Sequence, residues 1–255
     1  MKIFVLPDVQ ARDGDDFGFL RSIGHLIVDE KPDVVVQIGD FADCPALSSF
    51  DKGKKSFEGR RYRLDIAAAH RAMEALLGPI REYNLMRLRN KKAIYRPRLV
   101  LTMGNHEERI CRAVNSDPML DGTIGLADLK YEHYGWEVHP FLRVVVINGV
   151  AFAHYFITGQ KGLACSTAQA QLSKKFMSCV AGHQQGLSTY SAYRADGVRL
   201  TSIISGSCYL HHEDYLGEQG NLAHWRGAQM LRNVKDGEFD PDYLPLHEIM
   251  KRYPA

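Results

Sequence analysis

Five apolar runs in this chain stop at a polar side chain able to bind a cation: IFVLP before Asp8, VVVQIG before Asp40, LVLTMG before Asn105, VAFA before His154 and SCVAG before His183. Short, β-branched and bounded by Gly or Pro, such runs are the pattern of strands buried on both faces. Strands are predicted at KIFVLP, DVVVQIG, RLVLTMG, RVVVI, VAFAH, SCVAG and RLTSIISGSCYL. Helical periodicity predicts helices over about 17–29, 64–88, 106–114 and 166–176. Alternation of strand and helix early, then strands in succession, predicts an α/β layered domain with a parallel half and a more antiparallel half. In such folds the carboxyl ends of strands open on one crevice, so polar groups distant in sequence can meet there. One such residue is ordinary. Five in order, mixing Asp, Asn and His, predict a polynuclear metal site.

At 255 residues, with 45% hydrophobic and 24% charged side chains, the chain reads as one globular domain, residues 1–255. The start MKIFVLPD is too short for a secretory signal, and no window approaches the ~18 apolar residues of a membrane span. Cys44, Cys111, Cys165, Cys179 and Cys208 lack metal-motif or disulfide spacing. They are expected to act as small apolar residues in a soluble, cytoplasmic protein.

Charge is uneven: residues 51–98 hold 14 Lys or Arg against 5 Asp or Glu, in a chain of net charge +2. This stretch reads as a basic insertion at about 45–98. Within it, DIAAAHRAMEALLGPI has helical spacing, with a disturbance expected at Gly78-Pro79, and DKGKKSFEGRRYR before it is an exposed loop. Lys52, Lys54, Lys55, Arg60, Arg61 and Arg63 suit a phosphate backbone, and Phe57 and Tyr62 suit base stacking. A plain solvated basic face accounts for the same charges equally well.

The stretches DVQ at 8–10, GDFAD at 39–43, GNHE at 104–107, AFAHY around His154 and GHQQ at 182–185 form an ordered set. It resembles the calcineurin-like metallophosphoesterase family, whose pattern is D-x-H, G-D-x-x-D, G-N-H-[ED], a lone His and G-H-x-H. The resemblance covers residues 1 to about 185, and a softer likeness of the C-terminal extension, about 210–255, is to phage-encoded members. It implies an α/β fold, a four-layer αββα sandwich, and a metal-dependent hydrolase that cleaves phosphoesters with metal-activated water. By position, Asp40 bridges two divalent ions, Asn105, His154 and His183 complete one, and Asp8, Gln10 and Gln185 complete the other. His106 becomes the general acid, Asp43 its carboxylate partner, and Glu107 a support of the loop. Gln10 and Gln185 stand where the family pattern has histidine. Amide oxygen in place of imidazole favours Mn²⁺, with Mg²⁺ as a second choice, at this first site, and leaves Zn²⁺ or Fe for the second.

Read singly, Asp8 and Asp40 are helix caps, His154 a satisfied core histidine and His183 a turn residue. Their order and number favour the metal reading. His211 and His212 stay outside the metal site, because neighbours on a strand point to opposite faces. The basic insertion favours a phosphodiesterase or nuclease, with nucleic acid as partner. A phosphomonoesterase or protein phosphatase is the alternative enzyme, and a catalytically weakened metal-binding scaffold the alternative class. Neither a G-x-S-x-G elbow nor a P-loop is present.

Overall fold

The structure, a computed structural model, describes residues 1–213 and 216–254. Strands β1 (Ile3–Leu6), β2 (Val34–Gln37), β3 (Arg98–Thr102) and β4 (Glu137–His139) run parallel in one sheet. The second sheet is built from β5 (Val145–Ile147), β6 (Val150–Ala153), β7 (Cys179–Ala181), β8 (Leu187–Tyr193) and β9 (Arg199–Ser205), in the order β5-β6-β7-β9-β8. A hairpin of β10 (Gly227–Lys235) and β11 (Glu238–Pro245) returns to the first sheet, whose order is β11-β10-β1-β2-β3-β4. The expected parallel early half and more antiparallel later half are both present, with one refinement. β10 joins β1 antiparallel, whereas β6, β7 and β9 are mutually parallel between antiparallel edges, so both sheets are mixed.

Strand periodicity builds four layers. Ile3, Val5, Val34, Val36 and Val100 face the space between the sheets and meet Phe152, Val180 and Ile203. Phe4, Leu6, Val35 and Leu101, one residue out of step, face helices α1 (Gly18–Glu30) and α2 (Tyr62–Arg89). On the outer face of the second sheet, Ala151, Ala153, Cys179 and Ala181 form a separate core with Phe156 and Cys165. Helix α4 (Ala168–Lys175) lies over it, and its buried Gln171 donates to Ser202 Oγ at 3.1 Å. This is the αββα sandwich, and both faces of each central strand are covered, which is why these runs read as continuous apolar segments.

Helix α2 runs unbroken through Gly78-Pro79, where a disturbance was expected. Packing overrides propensity here. Pro79 is buried against α1 at Gly24, where a Cβ would stand 2.4 Å from Leu76 O and 2.8 Å from the proline ring. Ala68, Ala69, Ala72, Met73 and Leu76 place α2 in the core. Only the preceding stretch, about 50–61, projects as a largely exposed loop. The predicted long strand over RLTSIISGSCYL ends at Ser205, because Gly206 turns the backbone at φ +76. Helices α3 (Glu108–Ser116), α5 (Gly217–Leu222) and α6 (Leu246–Arg252) complete the fold. Among the described residues no helix is long and apolar enough to cross a membrane.

Candidate active site

The loops after β1, β2 and β3 are tied together before any site side chain is placed. Val9 and Gln10 donate their N–H groups to Asp40 O at 3.0 and 2.8 Å. The buried Glu107 carboxylate accepts from the N–H groups of Asp40 (3.0 Å), Ala42 (2.9 Å) and Gly104 (2.8 Å), and from Tyr131 Oη (3.2 Å). One carboxylate thus shapes two loops, as expected for Glu107 as a loop support. The glycines of GNH and GHQ are needed for close approach: a Cβ on Gly104 would lie 2.1 Å from Asp40 Oδ1, and one on Gly182 2.3 Å from Asp8 Oδ1. Gln10, Asp40, His183 and Gln185 all hold positive φ, at 47, 52, 70 and 59. Left-handed backbone costs a non-glycine residue ~1–2 kcal/mol, and such strain gathers at functional loops.

Asn105 Oδ1 lies 2.9 Å from His154 Nε2 and 2.8 Å from His183 Nδ1, and Asp40 Oδ2 lies 3.3 Å from His154 Nε2. The donor atoms of Asp40, His154 and His183 all fall within 4.8 Å of one another. His154 Nδ1 donates to the carbonyl of Ile38 at 2.9 Å, which turns Nε2 into the pocket. Asp8 accepts the His183 N–H on both oxygens, at 3.2 and 3.0 Å. Burial, with Asp40 adding, raises the Asp8 pKa to about 7 against the pull of His154. Burial opposes the charged form of His154, yet Asp40 and Asp8 outweigh it and raise its pKa to about 9. Burial and the neighbouring His154 lower that of His183 to about 4. Asp8 and His154 thus hold protons where a cation would satisfy the acids, and His183 stays neutral, as a ligand must.

The donor set fits divalent metal. Carboxylate, amide oxygen and imidazole converge. The fully buried Gln10 amide has no hydrogen-bond partner among the described residues. An unpaired buried polar group costs ~1–3 kcal/mol, and a cation beside it would supply the missing partner. Gln185 Oε1, by contrast, accepts from Tyr209 Oη at 2.9 Å.

Beside this pocket His106 Nδ1 meets Asp43 Oδ1 at 2.5 Å. Arg12 binds the same carboxylate through Nε and reaches Glu213 through Nη2. Arg109 Nη1 donates to the Asp43 carbonyl at 2.7 Å, and its Nη2 faces His106 Nε2 at 3.1 Å. A guanidinium only donates, so Nε2 is the acceptor and Nδ1 carries the proton toward Asp43. Burial disfavours the Asp43 anion, but His106, Arg12 and Arg109 hold its pKa well below the carboxylate range. Burial likewise disfavours imidazolium at His106, and Asp40 and Asp43 nevertheless raise its pKa. Arg12, Arg109 and Glu213 were not foreseen. Arg109 stands three residues after His106, a helical-face spacing that could have signalled it, whereas Glu213 reaches Arg12 across 201 positions.

Asp40, Asp43, Asn105, His106, His183 and Gln185 line a cleft of about 1080 Å³. Lys54, Arg60 and Arg61 of the basic stretch form part of its wall, with Phe50. Arg60 is braced by Asp51 at 2.7 Å and lies over the Phe57 ring at 5.7 Å. Tyr62, expected to stack on bases, is instead anchored to the core side by its hydroxyl, 2.7 Å from Asp128. His211 and His212 do not alternate on a strand. His211 is half-buried, 3.3 Å from Glu213 and stacked on Tyr209, and His212 is exposed.

The gene 54 protein of Mycobacterium phage D29 is 24% identical over 257 residues, covering 96% of this chain and 93% of that protein. Among solved structures, Yfce, a phosphoesterase from E. coli, covers 96% of this chain and 100% of its own at 12% identity and a TM-score of 0.41. The family model for calcineurin-like phosphoesterases matches residues 1–214, which include every motif residue described above. The chain therefore belongs to the calcineurin-like phosphoesterase family and is a hydrolase of phosphoester bonds.

Proposed function

We propose that the enzyme is a phosphodiesterase acting on an extended polyanion, nucleic acid in the first instance, with two divalent cations at its centre. The observation that carries this reading is one continuous cleft. Its floor holds the cation pocket and the His106–Asp43 pair, and its wall carries Lys54, Arg60 and Arg61. A phosphomonoester needs no such wall, whereas a diester within a chain has phosphates on either side of the one cleaved.

Asp40 would be shared by both cations, with Asn105, His154 and His183 on one, and Asp8, Gln10 and Gln185 on the other. The softer imidazole set suits Zn²⁺, Fe or Mn²⁺, and the oxygen set suits Mn²⁺ or Mg²⁺. When bound, the cations supply Lewis acidity toward a phosphoryl oxygen and a water of lowered pKa. The rest is done by the chain. Asp43 fixes the His106 tautomer and stabilises its charged form, so that Nε2 can carry a proton to the leaving oxygen. Arg109, donating to Nε2 in the free enzyme, must release it for that step, and the substrate phosphate offers its guanidinium a better acceptor. Arg12 keeps Asp43 ionised and joins it to Glu213.

The test is hydrolysis of a panel of chromogenic mono- and diesters and of single- and double-stranded nucleic acid, with Mn²⁺, Mg²⁺ and Zn²⁺ in turn. Diester and nucleic-acid cleavage led by Mn²⁺ is expected. Efficient monoester turnover with no diester cleavage would establish the phosphomonoesterase alternative instead.

A further inference from the structure

Neither aromatic residue expected to stack on bases presents its ring to the cleft. The Tyr62 hydroxyl is held by Asp128 at 2.7 Å, and the Arg60 guanidinium lies over the half-buried Phe57 ring at 5.7 Å. Phe50 stands in their place. It is 80% exposed, and among the described residues it is the one Phe, Tyr or Trp lining the cleft that holds Asp40, Asp43 and His106. We infer that Phe50 is a base-stacking residue and that the substrate is single-stranded nucleic acid, with a base of the bound strand laid on this ring. This rests on the reading of the cleft as a nucleic-acid site.

A lone exposed phenylalanine is ordinary on a protein surface, and what distinguishes this one is its mount. Two residues before it, the N–H of the buried Ser48 donates to Pro45 O at 3.2 Å. Directly after it, Asp51 accepts from Arg60 Nη1 at 2.7 Å and from Lys54 Nζ at 3.1 Å. The same Arg60 Nη1 reaches Pro45 O at 3.2 Å. The two sides of the loop are thus cross-braced, and the ring is left outside the brace, in the cleft. An aromatic side chain kept in water forgoes its burial free energy, and a stacked base returns part of it.

Charge alone gives this wall a limited hold on a strand. Asp51 and Glu58 stand among Lys54, Arg60 and Arg61, and Asp51 already pairs with two of the three cations. A phosphate must compete with that carboxylate for both. Every base has a π-face, so stacking on Phe50 adds binding that this pairing does not reduce. At about 1080 Å³ the cleft matches the top of the ~300–1,000 Å³ range of small-ligand pockets, which leaves room for a base and sugar beyond the phosphoryl group. In a duplex the base faces are closed against one another, whereas a single strand can splay one out onto an aromatic ring.

The experiment compares three substrates of one length in the presence of Mn²⁺: a single-stranded oligonucleotide, the same backbone with tetrahydrofuran residues in place of every base-bearing sugar, and the duplex. Wild-type enzyme should favour the base-bearing single strand over the other two by ~10-fold or more in kcat/KM, the scale of base–aromatic stacking. Phe50→Ala should make the base-bearing and abasic strands nearly equal, and Phe50→Tyr, which keeps the ring, should retain the preference. A ratio of two substrates on one variant is independent of how much of it folds. A base preference that survives in Phe50→Ala would overturn the assignment of Phe50, and a duplex cleaved as fast as the single strand would overturn the choice of substrate. Turnover of a chromogenic diester by the wild-type enzyme, with neither strand nor duplex cleaved, would overturn the nucleic-acid reading itself and this proposal with it.

Discussion

Asp8, Asp40, Asp43 and Glu107 are all buried at the ends of the strands, and each is compensated differently. Glu107 has backbone N–H groups, Asp43 has two arginines and an imidazole, and Asp40 has His154 together with the His106 N–H at 2.9 Å. Asp8 receives the His183 N–H, and burial raises its pKa to about 7, so a cation beside it would stabilise its charged form. On the proposed roles, losing Asp40 and losing His106 should therefore differ. Asp40→Asn should lower cation occupancy and turnover together, whereas His106→Ala should keep the cations and slow turnover by ~10²–10⁴ on a poor leaving group. Full activity of His106→Ala on such a substrate would contradict the role. A second carboxyl tests the electrostatics away from the cations. Burial, with Asp43 adding and the Ala46 N–H opposing, raises the Asp65 pKa to about 6. A raised acid stabilises the fold fully only below its ordinary pKa of ~3.9 and loses that contribution as pH rises through 6. Asp65→Asn should thus stabilise by ~1–3 kcal/mol above pH 7, with the gain fading toward pH 4 in urea titrations. A gain that grew in acid would reverse the sign. Asp8, Asp40, Asn105, His154 and His183 were legible because each interrupts an apolar run. Arg12 and Glu213 were not, because nothing local distinguishes a side chain whose partner is 201 positions away.

Elements explain where periodicity succeeded and where it failed. Central strands were read from apolar runs because both faces are buried, but the β10–β11 hairpin was missed. Its buried positions include Gln229, which donates to Ser205 O at 2.8 Å, so a polar residue occupies a core position. Asp236-Gly237, with φ of 51 and 89, was the available signal, since two positive-φ residues between strands mark a tight hairpin. At α2 the opposite error arose. Pro79 was expected to disturb a helix that tertiary contact keeps continuous, and the contact depends on Gly24 in α1. Gly24→Ala should drive the helices apart and cost ~1–3 kcal/mol despite the better helix propensity of alanine. A urea midpoint unchanged or raised would show that the close approach is not limiting.

For the whole molecule, the two sheets bring their strand ends to a single rim, and the loop before α2 adds basic side chains to it. If Lys54, Arg60 and Arg61 follow a phosphate backbone, replacing all three with Gln should weaken nucleic-acid binding at low salt. It should also reduce the slope of log K against log salt by ~0.7–0.9 for each phosphate no longer neutralised, while a small chromogenic diester is turned over as before. An unchanged slope would leave them as solvated surface. The claim on which the rest depends is a pair of cation sites unequal in strength, the histidine-containing one tighter than the one that carries Gln10 and Gln185. Titration of Mn²⁺ into metal-stripped protein by calorimetry, with elemental analysis of the protein as purified, tests it directly. The expected result is one ion retained through purification and a second bound with at least ~10-fold lower affinity, turnover rising with the second. Two ions held equally tightly, with turnover indifferent to added Mn²⁺, would contradict it.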